Sequence, residues 1–117
     1  LEGLRRDDVG RLLNGKHGLS WGLLDVVCVQ QGIMIGSDNT IYEAVTDAMG
    51  HASQWTQLSS QAFGIDRLAL VDEVRAGLKL YVLTAQMLDA VFKPEDRTMI
   101  REVVRRIRKE ISEIAFD

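Results

Sequence analysis

The stretch LLDVVCVQQGIMIGSDN, residues 23–39, admits two readings: the inner part of a buried helix, or two short strands around a turn. The first places the chain among helical bundles, and the second makes it a mixed α/β layer. Helical spacing does not arbitrate, since every position from 23 to 29 except Asp25 is apolar. Residue type does. Val26, Val27, Val29, Ile33 and Ile35 are β-branched and lose χ1 freedom in a helix, and Gln31-Gly32 puts a glycine where a tight hairpin needs positive φ. The expectation is a hairpin turning at Gln31 and Gly32, with strand one over about residues 22–30 and strand two over about 33–37. Such an all-apolar ribbon has to be covered on both faces.

Upstream, EGLRRDDVGRLLN at residues 2–14 carries Leu4, Val9, Leu12 and Leu13 at helical spacing, and Asn14-Gly15 signals an end. Downstream, Thr40 and Glu43 form a capping box that starts a helix. Ile41, Val45, Ala48, Ala52, Trp55, Ser59 and Ala62 then share a stripe, which Phe63-Gly64 ends, so one helix is expected over about residues 40–63. A second stripe of Tyr42, Met49, Thr56 and Phe63 makes its apolar arc too wide for one sheet face.

Residues 66–92 are ambiguous in the same way. A helix from Asp66 aligns Leu68, Val71, Val74, Leu78, Val82 and Ala85, but Ala76-Gly77 interrupts it, and Leu78, Leu80, Val82 and Thr84 alternate with period two. The reading taken is three strands, about 67–74, 78–84 and 87–92. Lys93-Pro94-Glu95-Asp96 starts a last helix, with proline in the first turn and acids facing the positive end of the helix dipole. Ile100, Val103, Val104, Ile107, Ile111 and Ile114 mark its apolar face.

Bulk properties bound the function. At 117 residues the chain is one domain, able to bury a core without staples, and no repeat or linker divides it. With 46% apolar and 26% charged residues it reads as globular, and no apolar run approaches the roughly 20 residues that span a bilayer. A net charge of -3 and a pI near 5.4 give no footprint for nucleic acid or an anionic membrane, which leaves a protein as the expected partner. The single cysteine, Cys28, fits a reducing compartment, and the expected location is the cytoplasm. With only His17 and His51 beside that cysteine, no structural zinc site is expected, and GKH at residues 15–17 is no phosphate loop, so no cofactor is expected. Arg101, Arg105, Arg108 and Lys109, interleaved with Glu102, Glu110 and Glu113, read as a solvated face or as a patch for an acidic partner.

The element order, helix, two strands, long helix, three strands, long helix, resembles the Roadblock family of dynein light chains and bacterial regulators of Ras-like GTPases. The resemblance lies in GLLDVVCVQQGIMIGSD at 22–38, the helix 40–63, GLKLYVLTAQMLDAVFKPED at 77–96 and the closing helix. It implies a five-stranded antiparallel sheet between the long central helix on one face and the terminal helices on the other. It also implies no enzymatic activity, a homodimer or a heterodimer with a paralogue, and a small Ras-like GTPase as partner. The dimer and partner interface implied is Tyr42, Val45, Met49, Ala52, Trp55, Thr56 and Phe63 on the helix, with Leu70 and Asp72 on the middle strand. From the residues alone, a dimer is also expected because Met49, Trp55 and Phe63 exceed what one sheet face covers. The rival from another class is an all-α signalling bundle, with His51 as a phosphoacceptor.

Overall fold

The computed structural model describes residues 1–33 and 40–114. Its regular elements are α1 (Glu2–Arg6), α2 (Val9–Gln30), α3 (Ile41–Met49), α4 (Gln54–Phe63), α5 (Leu70–Leu88) and α6 (Pro94–Ile114), with a 3-10 turn at Asp89–Val91. No strand occurs among the described residues. The five-stranded α/β expectation is therefore overturned, and the all-α bundle is the architecture.

The quoted stretch belongs to α2. Leu23, Leu24, Val27 and Cys28 are buried at positions i, i+1, i+4 and i+5, while Val29 is 81% exposed and Val26 44%. That is the inner stripe of a helix, and it packs with Ile41, Val45, Trp55 and Leu80 in the first core cluster. Burying a Val or Leu side chain is worth about 1.5–3 kcal/mol, against a few tenths for each β-branched residue forced into a helix. Packing wins over propensity. The element also runs straight through Asn14-Gly15, the expected end of a first helix. The chain breaks earlier, at Asp7, whose φ of 52° is left-handed, and Asp8 then caps α2 by accepting a 3.2 Å hydrogen bond from the Arg11 N–H.

Gly32 does take the positive φ expected of it, 65°, but as the end of a helix. Its N–H donates to the Val29 carbonyl (3.0 Å) and the Ile33 N–H donates to the Cys28 carbonyl (3.1 Å), the pair of bonds of a Schellman motif. Ile33 then packs on the cluster that holds Cys28. Of the expected second strand, residues 34–37 lie outside the described residues. Gly32→Val should cost about 1–2 kcal/mol in a urea melt, from backbone strain alone, because nothing lies within 4 Å of the added Cβ. A hairpin and a helix end both need positive φ here, so this substitution does not separate them. Circular dichroism does, and the spectrum should be that of a helical protein.

The expected helix 40–63 is two helices. Gly50, at φ 93° and ψ 128°, leaves helical space and ends α3, and Ser53 opens α4 by accepting from the Thr56 N–H at 3.1 Å. Thr56 Oγ1 donates to the Gly50 carbonyl (2.7 Å) and ties the corner. Thr40 stands at the N-cap of α3, without the side-chain cap bond of a capping box. The wide apolar arc is thus met inside the chain: Ile41 and Val45 of α3 and Trp55 of α4 enter one core, with Tyr42, Met49 and Phe63 packed at its margin.

The three strands expected over 67–92 are replaced by α5 and the 3-10 turn. The helical register set aside in the sequence holds, with Val74, Leu78 and Ala85 buried. Gly77 does not interrupt it. A Cβ there would lie 3.5 Å from Leu19 Cδ2 and 3.7 Å from Ala62 Cβ, so the glycine sits where α2 and α4 come close to α5. This makes α5 the central helix. The start of α6 at Pro94 is as expected, and Ile107 is buried with Leu12, Val74 and Leu78 in a second cluster, with Val103 and Ile111 beside it.

An ion pair is enclosed between α2 and α5. Lys16 Nζ lies 2.9 Å from Glu73 Oε1, with the side chains only 6% and 11% exposed. Gly64, at φ 87°, ends α4 directly over it: a Cβ at this position would fall 3.0 Å from Glu73 Oε2 and 3.5 Å from Lys16 Nζ. No helix among the described residues is long and apolar enough to cross a membrane.

Candidate functional site

The interface residues named from sequence do not form one face. Val45 and Trp55 are core at 0% and 2% exposure, Thr56 is buried at the α3–α4 corner, and Tyr42, Met49 and Phe63 pack against the first cluster. Phe63 also meets the rings of Trp21 and Tyr42 edge-on, at 5.5 and 5.3 Å between centroids. Ala52 is exposed in the corner, Leu70 packs on the second cluster from α5, and Asp72 is exposed in the first turn of α5. With Met49, Trp55 and Phe63 covered by their own chain, the area argument for a dimer loses its basis. Gln31 and Gly32 form the end of α2, not a hairpin turn.

His51 lies in the turn after α3, with Nε2 2.6 Å from Asp47 Oδ1 and a side chain 74% exposed. It lines a polar recess with Tyr42, Thr46, Thr56, Gln57, Ser60, Gln61, Ile65 and Asp66. The hydroxyls there are engaged: Thr46 donates to the Tyr42 carbonyl at 3.0 Å, Thr56 to that of Gly50, and Ser60 to Asp66 at 3.1 Å. The charged groups near the imidazole, Asp47 and Asp66, are both acids, which repel rather than hold a phosphoryl group.

A different surface is built like a binding site. Along α5 and α6, Ala85, Gln86, Asp89, Ile100, Arg101, Val104, Arg105 and Arg108 line a cavity of about 520 Å³. A second cavity of about 510 Å³ is lined by Gln54, Leu58, Lys79, Val82, Leu83, Gln86, Arg108 and Ile111. Both share Gln86 and Arg108, so they are two lengths of one groove. Lys79 lies toward Ile111 and Asp89 toward Arg101, so the two helices run antiparallel. Each lines the groove over a span of about eleven residues, a length of about 16 Å. Its floor is aliphatic: Ala85, Ile100, Val104, Val82, Leu83, Ile111 and Leu58 from α4. Its rim carries the cations Lys79, Arg101, Arg105 and Arg108, with Asp89 in the lining and Glu102 paired to Arg105 beside it.

The rim is held in place by bidentate pairs. Arg101 donates to Asp89 through Nε (3.1 Å) and Nη2 (2.7 Å), and Arg97 donates from Nε to the Asp89 carbonyl (3.0 Å). The Arg101 hydrogen bond holds the Asp89 carboxyl below its usual range, and the same contact raises Arg101. Arg105 donates to Glu102 at 2.9 and 2.6 Å. Hydrogen bonding to Arg105, aided by its charge and by Arg106, brings Glu102 from 4.5 down to about 2. A depressed carboxyl contributes stability that is present above 4.5 and lost as pH falls from 4.5 toward 2. Because the pair is exposed, its effect on global stability is small, and the sensitive readout is local. The Glu102 side-chain carboxyl should titrate by NMR with a midpoint near 2, and Arg105→Gln should move that midpoint up toward 4.5.

The sequence displayed half of this site. The arginines of α6 were visible but read chiefly as a solvated face, because nothing marked the opposing wall. Lys79, Val82, Leu83 and Gln86 have the 0, 3, 4, 7 spacing of one helical face, but this was hidden once residues 78–84 were taken as a strand. Among the described residues, no group of three or more His, Cys, Asp or Glu is placed to hold a metal ion. No family model matches the chain, and no curated protein or solved structure matches it with significance.

Proposed function

We propose that this chain is a non-catalytic helical binding module, of the kind used in signalling, that takes a segment of a partner protein into the α5–α6 groove. The observation that supports it is the combination of an aliphatic floor and a fixed polar rim along about three turns of two helices, the geometry in which helix-in-groove recognition works. A Ras-like GTPase as the partner drew on a sheet-built dimer, and a helical bundle offers no such sheet. A phosphotransfer bundle has the helical fold on its side, but its histidine would sit beside Asp47 and Asp66. Phosphoramidate separates the two: the binding reading expects no phosphohistidine signal at His51 by phosphorus NMR.

Gln86 is exposed and lies where the two lengths of the groove join, so Gln86→Trp plugs the groove without entering the core. A partner captured by the wild-type chain should be lost by Gln86→Trp, and in the wild-type complex hydrogen exchange should slow along residues 79–89 and 100–111. Capture unchanged by the plug, with no slowing there, ends this reading.

A further inference from the structure

We infer that the occupant of the groove is an acidic amphipathic helix of about three turns, an inference that rests on the binding reading above. The length follows from the groove, since about 16 Å of paired α5 and α6 matches about eleven helical residues. The floor, Ala85, Val82, Ile100, Val104 and Ile111, calls for aliphatic side chains repeating every three or four residues on the inserted face. The sign of the flanks follows from charge. Among the described residues, Lys79, Arg101, Arg105 and Arg108 stand against Asp89 and Glu102 and leave the rim at +2, on a chain whose net charge is -3, so the positive sign is a local property of this groove. Arg101 and Arg105 are held by carboxylates on this chain, which fixes their guanidinium planes in advance and lowers the ordering cost of a second acidic contact. Arginine is also the side chain best suited to bidentate carboxylate recognition.

Two other occupants fit less well. A second copy docked through the same groove about a two-fold axis would set arginine against arginine. An anionic membrane is flat, whereas the aliphatic floor lies recessed between two helices. The commitment is therefore to an acidic helical segment of another protein.

The test is selection from a display library of random peptides about fourteen residues long on the immobilised wild-type chain, with counter-selection on Gln86→Trp. Enriched sequences should carry aliphatic residues at three- and four-residue spacing, with Asp or Glu beside them. A synthetic peptide of the enriched sequence should bind at least about tenfold more weakly to the Arg105→Glu/Arg108→Glu double variant, whose changes are at exposed positions and should leave the helical dichroism intact. Its affinity should also fall as salt is raised from about 0.05 M to about 0.5 M, as screening predicts. Groove-dependent peptides that are neutral or basic overturn the acidic-helix inference while leaving the binding reading in place. No enrichment over Gln86→Trp overturns both. Two further results overturn the inference in favour of the other occupants: phosphatidylserine-vesicle binding lost on Arg105→Glu/Arg108→Glu without peptide enrichment, or self-association relieved by Gln86→Trp.

Discussion

Lys16→Met should lower the free energy of unfolding by about 3–5 kcal/mol, read as a fall in the urea midpoint at unchanged slope. Methionine is similar in length and apolar, so little packing is lost. What is lost is the ammonium 2.9 Å from Glu73 Oε1, in a site where both side chains are nearly enclosed. The other carboxylate oxygen faces the underside of Gly64. The decisive comparison is the double variant Lys16→Met/Glu73→Leu. Replacing a buried pair with apolar groups of similar volume is commonly neutral or stabilising, so the second change should restore most of what the first removed. If Lys16→Met costs less than about 1 kcal/mol, the pair is solvated in solution and α2 is held to α5 by its apolar contacts alone.

Trp55→Ala should be as severe, about 3–5 kcal/mol, because it empties the largest fully buried side chain among the described residues. The cost should not depend on protein concentration, which distinguishes a core tryptophan from one anchoring a dimer. Trp55→Phe should cost less, about 1–2 kcal/mol. It removes the donor of the 3.1 Å bond to Thr84 Oγ1, but the Thr84 hydroxyl keeps its own 2.7 Å bond to the Leu80 carbonyl and is not orphaned. A concentration-dependent loss for either variant would return Trp55 to an interface.

These two sites show where the sequence was legible and where it was not. The start of α6 was readable because Pro94 and the acids behind it act locally, through φ and the helix dipole. The positive φ of Gly32 was readable for the same reason. What followed that glycine was not, since a hairpin turn and a Schellman end ask the same thing of one residue and differ only in their distant partners. Valines at 26, 27 and 29 pointed toward a strand by their intrinsic preference, and burial of Leu23, Leu24, Val27 and Cys28 against α3, α4 and α5 overrode it. The width of the apolar arc over 40–63 was visible, but it was assigned to one helix whose second surface lay outside the chain. Its answer lay in Gly50, whose positive φ turns one stripe into two helices that share a core. The Lys16–Glu73 pair spans 57 residues and left no local trace.

The attachment of α6 has a consequence for how the molecule opens. This helix meets the second core cluster through Val103, Ile107 and Ile111, and beside them it is tied by Arg5 of α1, which donates to the buried Glu110 through Nε at 2.7 Å and through Nη2. By contrast, α2, α4 and α5 bury their faces among one another. Peeling α6 away therefore gives up fewer apolar contacts than melting the rest, so its amides should exchange through an excursion of lower energy than global unfolding. One wall of the groove is then less persistent than the α2, α4 and α5 core it packs on. A bound segment would have to hold that wall shut, and binding strength and helix protection would rise together by mass action.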